Sequence, residues 1–175
     1  MLKRIFVLMA IVLLASCDDG EELHPLKMNR IPYEGNELRT DGYYYSEAFS
    51  ENDIKILVLY RNGVCLFEVT DFKGQDTLGY IENNFLLNPR IAHYWTRPSD
   101  IGVFQINNKS LTIEVWDPGY DNIGTYTYNS EILNDTTFRV TKQTNNQSGN
   151  SYPYIRTFRF KQFSPKPDST NRFIK

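Results

Sequence analysis

The sequence predicts a mostly β protein: an antiparallel up-and-down meander of about eight or nine strands, closing into a barrel, with one short inserted helix. Three observations carry this. Tyr and Phe number 12 and 11, while only Ala48 and Ala92 represent helix-favouring alanine after Cys17. Short apolar and aromatic runs are interrupted by Asn, Gly and Asp at hairpin spacing. Consecutive hairpins place each strand beside the next, and closing such a sheet removes its exposed edges. A two-sheet sandwich is the alternative closure. The length suits one domain with a proper core.

The elements follow in order. Residues 38–47, LRTDGYYYSE, make the first strand. In IKILVLYRNGVCLFEVT, residues 54–70, Asn62-Gly63 between apolar runs predicts a two-residue type I′ hairpin. That register opposes Tyr60 to Cys65, Val58 to Phe67 and Ile56 to Val69. It puts those six on the core face and Lys55, Leu57, Leu59, Arg61, Leu66, Glu68 and Thr70 on the other. From Asp76 to Leu87 the apolar period changes. Leu78, Ile81 and Phe85 recur at three and four, Asp76 or Thr77 can cap, and Pro89 follows: a short helix whose stripe closes an end of the sheet. IGVFQINNKSLTIEVW, from Ile101, is a second hairpin around Asn108-Lys109. It pairs Ile106 with Leu111 and Phe104 with Ile113 inward, with Gln105, Thr112 and Glu114 outward. TYTYNSEILNDTTFRVT, from Thr125, turns at Asn134-Asp135. Residues 154–163 close the sheet, Phe158 and Phe160 on one face, Arg159 and Lys161 on the other. Residues 18–37 read as a flexible tether with a reach of ~25 Å, and residues 164–175, with two prolines and little to bury, as a disordered tail.

The start of the chain concerns address. Lys3 and Arg4 precede ten apolar residues, Ile5 to Leu14, too few to span a bilayer, which needs ~20. A positive start, a short apolar run and small residues form a secretory signal peptide, here residues 1–16. Leu14-Ala15-Ser16-Cys17 resembles the bacterial lipobox. The resemblance implies that Cys17 is lipidated with a diacylglyceryl group and further fatty acyl such as palmitate. Two or more chains anchor a protein stably, whereas one is marginal. Asp18, Asp19, Glu21 and Glu22 resemble the acidic export signal behind the lipid cysteine of Bacteroidetes-type surface lipoproteins. That implies anchorage on the outer membrane, facing the surface. Three Asp-Ser/Thr-x stretches resemble the O-glycosylation pattern of the same bacteria, with Thr77, Thr136 and Ser169 as acceptors. Asp76 as a helix cap, Asp135 as a turn residue and Asp168 in a tail are the structural alternatives.

The stretch DGYYY, Asp41 to Tyr45, resembles the Gly-x-Trp opening of lipocalin-like barrels, with Gly42 in place and Tyr44 where tryptophan would stand. ILVLYRNG, GVFQINNKSLTIEVW and SEILNDTTFRV resemble phrases of lipocalin-like lipoproteins of Bacteroidetes-type bacteria, and the likeness spans residues 38–163. It implies a ligand-binding barrel. The chain departs from the pattern in its missing tryptophan, its lack of a disulfide and its mid-chain helix.

Composition excludes some classes. Without Lys3 and Arg4, 17 of the 19 basic residues remain against 21 acidic ones, so nucleic acid is not an expected partner. Cys65 has no second cysteine to pair with once Cys17 is lipidated, and belongs in the core. Two histidines, His24 and His93, do not make a metal site, and no cofactor is expected. Cys65 with His93 is a poor nucleophile and base, because an apolar strand is no setting for a thiolate. Glu114 and Asp117 sit three apart on a strand and so face opposite ways, unlike a glycosidase pair. No catalytic constellation emerges, and the protein is expected not to be an enzyme. Tyr43, Tyr45, Tyr94, Trp95 and Trp116 are the candidate ligand-lining residues, with Tyr126 and Tyr128 also considered. The expected function is binding of a small apolar or amphipathic ligand inside the barrel. The alternative is a non-enzymatic surface module that holds a protein or glycan partner, an immunity-type role included.

Overall fold

The computed structural model describes residues 23–46, 53–71, 76–87, 98–99, 101–118 and 123–175. Cys17, Asp18, Asp19, Glu21, Glu22, His93, Tyr94 and Trp95 lie outside them. Eight antiparallel strands close in sequence order: β1 (Gly42–Ser46), β2 (Asp53–Leu59), β3 (Val64–Asp71), β4 (Ile101–Asn107), β5 (Ser110–Pro118), β6 (Ile123–Asn134), β7 (Thr137–Asn145) and β8 (Ser151–Gln162). β1 pairs with β8 from Gly42↔Gln162 to Ser46↔Phe158, so the meander becomes a barrel and no edge is left. At Gly42 the backbone of β8 lies close enough to leave no room for a side chain. A Cβ there would lie 2.1 Å from the Lys161 carbonyl oxygen.

Two hairpins show how turn chemistry sets the faces. At β4–β5 the expected pairs Ile106↔Leu111 and Phe104↔Ile113 form, with Asn108 in the left-handed region at φ 55°. At β2–β3 the expected register is one residue off. The observed pairs are Leu59↔Cys65, Val58↔Leu66 and Leu57↔Phe67. The turn is not type I′, because Gly63 alone in it has positive φ, at 86°. Gly63 N–H bonds the Tyr60 carbonyl at 2.9 Å and Tyr60 N–H bonds that of Val64 at 3.0 Å. This is the three-residue loop in which a left-handed glycine closes a bulge. The extra residue reverses the faces of β2: Lys55, Leu57 and Leu59 belong with the interior, and Ile56, Val58 and Tyr60 with the outside.

The molecule therefore has two apolar layers. The interior layer takes side chains from every strand, including Tyr44, Leu57, Cys65, Phe67, Phe104, Ile113, Tyr128, Phe138 and Phe158. The second layer lies outside β1–β5 and includes Tyr43, Ile56, Val58, Tyr60, Leu66, Ile101, Val103 and Trp116. Ordinary barrels leave that outer face to water. Here it is covered by the helix and by both flanking segments.

The helix α1 (Thr77–Ile81) runs on into one π turn (Glu82–Leu86). Asp76 is its cap, with Oδ1 accepting from Gly79 N–H at 2.9 Å. Ile81 and Leu86 are buried in the outer layer, and Tyr43 Oη donates to Glu82 Oε1. The helix thus covers the side of the barrel and not an end of the sheet.

From Leu23 on, the expected tether is docked, and so is the expected tail. Met28 N–H and Lys27 N–H donate to the Glu114 carboxylate at 2.6 and 3.0 Å, and Trp116 Nε1 donates to the His24 carbonyl at 2.6 Å. At the other end of the chain Ile174 is buried, Phe173 meets the Trp116 ring, and Tyr60 Oη donates to the Pro167 carbonyl. Lys166 Nζ donates to the carbonyls of Thr40 and Leu59. Leu23, Leu26 and Met28 of the first segment and Phe173 and Ile174 of the second pack on a surface already apolar on the outside of β1–β5.

Candidate functional site

The two ends of the barrel differ. At the end carrying the β2–β3, β4–β5 and β6–β7 turns, residues 31–41 fold across the opening. Leu38 is fully buried in the interior layer and Tyr33 is nearly so, its ring 5.7 Å from Phe104. Tyr33 Oη accepts from Leu38 N–H at 2.9 Å, and Tyr33 N–H bonds the Arg61 carbonyl at 2.8 Å. Tyr44 Oη donates to the carbonyls of Arg39 and Asp135. Tyr44, in the place of the expected tryptophan, forms the floor of the interior. Burial pushes its hydroxyl pKa well above the ordinary value. A surface cleft of about 340 Å³ lies beside this plug, lined by Ile31, Tyr33, Glu37, Phe104 and Gln105 among others.

Above the floor, the interior rings are in contact with one another, some on neighbouring strands and some across the barrel. Phe138 and Phe158 stack at 4.8 Å, Phe138 meets Tyr44 at 5.3 Å, and Phe67 meets Tyr128 at 4.9 Å. Ring pairs at such spacings add to the large area each ring buries.

Toward the other end the interior turns polar and cationic. Lys55 Nζ lies 5.3, 5.9 and 5.4 Å from the centroids of Phe67, Tyr128 and Tyr154. Arg156 is buried, its Cζ 5.5 Å from the Tyr154 ring, so one ring adjoins both cations. Ser46 ties the two strands: its Oγ accepts from Lys55 N–H at 3.0 Å and from Arg156 Nη1 at 3.2 Å. Lys55, Tyr154 and Arg156 also hold further interactions within the protein. Lys55 comes inward through the bulge at Gly63. Arg156 shares the inward face with Phe158 and Phe160, two residues apart along β8.

The sequence-predicted residues divide. Tyr43, Tyr45 and Trp116 are not interior; all three belong to the outer layer, because Tyr44 takes the inward position on β1 and Val115 takes it on β5. Tyr126 and Tyr128 do face inward. Glu114 is buried under the N-terminal segment, and Asn146 Nδ2 also donates to it at 2.7 Å. Cys65 is buried as expected, and burial pushes its thiol pKa far up. Among the acceptor-like residues, Thr77 opens α1, Thr136 Oγ1 donates to Asn134 Oδ1, and Ser169 Oγ accepts from Asn62 Nδ2. Lys55 and Arg156 carry no sequence signal of their own. Only the parity of their strands shows them turning inward.

Among the described residues no group of three or more His, Cys, Asp or Glu is placed to hold a metal, and no helix is long and apolar enough to cross a membrane. The architecture is consistent with a lipocalin-like fold in general. No protein-family model matches the chain, and neither a curated protein nor a solved structure shows significant similarity to it.

Proposed function

We propose that this protein is a lipid-anchored carrier on the outer membrane that binds a small amphipathic ligand in its barrel. The observation that supports it most is the gradient inside the barrel. Aromatic rings lead from a plugged floor to a cluster of Lys55, Arg156, Ser46 and Tyr154. Rings suit an apolar or aromatic body, and two cations suit a negative end. The anchor rests on the Leu14–Cys17 motif.

The test uses the purified folded chain and the aromatic sulfonate 1-anilinonaphthalene-8-sulfonate as probe. Fluorescence should report saturable binding at micromolar concentration. Lys55→Met or Arg156→Met should weaken it about tenfold, in line with the ~1.5–3 kcal/mol of a hydrogen bond to a charged group. Mass spectrometry of the unfolded protein should also release a co-purifying amphiphile. A stably folded protein that neither binds the probe nor releases a small molecule would overturn the reading.

One observation favours the competing view, a surface module for a protein or glycan partner. The rings of Tyr44, Phe67, Tyr128, Phe138 and Phe158 already touch one another. Under that view the same titration shows no binding.

A further inference from the structure

We propose that residues 23–33 form a docked strut that points the Lys55–Arg156 end of the barrel at the bilayer. The inference rests on the lipid anchor at Cys17 and adds an orientation to it.

The direction of the strut can be followed contact by contact. His24 is held at Trp116, two residues before the end of β5, and Lys27 Nζ donates to the carbonyl of Asn146, just past the end of β7. Met28 is held at Glu114, and Gln105 Nε2 donates to the Asn29 carbonyl. Tyr33 then reaches Arg61, in the β2–β3 turn of the plugged end. The segment therefore enters beside the end where β5 and β7 finish and β2, β6 and β8 begin. That is the end of Lys55, Tyr154 and Arg156.

Leu23 is six residues after Cys17. Six residues span at most ~20 Å even when fully extended. A loose coil of that length averages ~13 Å. Tilted strands of β5's length make a barrel of ~25 Å. Cys17 therefore lies within ~20 Å of Leu23, which sits beside the cationic end, while the plugged end stands about a barrel length from Leu23. Without docking, the coil from Cys17 to the first strand would leave either end free to approach. The exposed side chains agree with this direction. Val69, Tyr152 and Ile155 put apolar surface on the parts of β3 and β8 nearest that end. Ile31 and Leu133, exposed at the other end, flank an opening already filled by Leu38.

The experiment couples the chain from Cys17 onward to a maleimide lipid in phosphatidylcholine vesicles. Cys65, buried and with its thiol pKa raised, does not compete for the maleimide. A fluorophore is placed at position 152 or at position 108, and quenching by headgroup-nitroxide lipid is read. Position 152 should be quenched at least threefold more than position 108. Inserting ten Gly/Ser residues between Glu22 and Leu23 leaves the fold untouched and should keep that preference only weakly, within about 1.5-fold. Equal quenching in the parent chain, or stronger quenching at 108, would overturn the orientation. The mass of chain extracted from cell membranes separately decides whether Cys17 is lipidated. An unlipidated mass would remove the anchor reading while leaving the vesicle result to judge the geometry.

Discussion

At the scale of single residues, Gly63, Phe158 and Glu114 each hold a different part of the structure. Gly63 takes φ 86°, a left-handed conformation costly for residues with a Cβ, and it also lies against the Ile31 backbone. Gly63→Ala should therefore cost about 1–2 kcal/mol by the handedness penalty alone, seen as a lower denaturant midpoint with unchanged m-value. Phe158 stacks on Phe138 and meets Phe67, and it is fully buried. Phe158→Ala should destabilise by about 3–5 kcal/mol, and urea unfolding measures it. A cost under 1 kcal/mol would mean that the interior already has room to collapse. Glu114 shows how a residue can mislead when read alone. A carboxylate on a strand beside Asp117 invites a catalytic reading, yet its oxygens accept from Lys27 N–H, Met28 N–H and Asn146 Nδ2.

At the scale of elements, the flanking segments matter more than their composition suggests. Residues 23–33 and 164–175 cover the outer layer of β1–β5, replacing the solvent that a barrel strand normally faces. Glu114→Ala removes the acceptor of three donors. It should free the segment near Lys27, so that trypsin cuts after Lys27 or Arg30 several-fold faster while the strand amides keep their exchange protection. Unchanged cleavage would show that Trp116 and the apolar contacts suffice. Hydrophobic pattern made the strands legible: β4, β5 and β8 match the alternation of Phe104, Ile106, Leu111, Ile113, Phe158 and Phe160. The β2 faces were not legible, because Asn-Gly serves a two-residue turn and a three-residue bulged loop equally well. Nothing within the hairpin distinguishes Ile56 and Val58 from Leu57 and Leu59, since both sets are buried.

At the scale of the whole molecule, burial of ionisable groups sets the response to alkali. Cys65, Tyr43, Tyr44 and Tyr60 all have pKa values raised by burial from ordinary values of 9.0 for the thiol and 10.0 for the phenols. The folded protein keeps these protons where the unfolded chain has lost them. Their contribution is thus complete below pH 9 and falls as pH rises through 9 and then 10. Lys166 works the other way: desolvation lowers its pKa, so its contribution rises with pH below 10.5. Burial raises the Tyr33 phenol too, so one group stands against five and the net is a loss. The melting temperature should fall steadily from pH 9 to 11, and in Cys65→Ala the first part of that fall, between pH 9 and 10, should be shallower. A flat profile across this range would show that these groups reach water in the native state.

Sequence alone determined the β class, the meander, the short helix from Asp76 or Thr77 and the inward place of Cys65. Each depends on period, turn residues or local hydrogen bonds, and these act over a few neighbours. Tertiary structure decided which face of β2 turns inward, that the flanks are docked, and that Lys55 and Arg156 share the Tyr154 ring. Those outcomes depend on closure. Once β1 meets β8, a one-residue bulge at Gly63 determines which side chains of β2 point inward. An apolar outer face then draws in flanking segments whose few-residue apolar pattern, such as Leu23, Leu26 and Met28, does not by itself say which surface it meets.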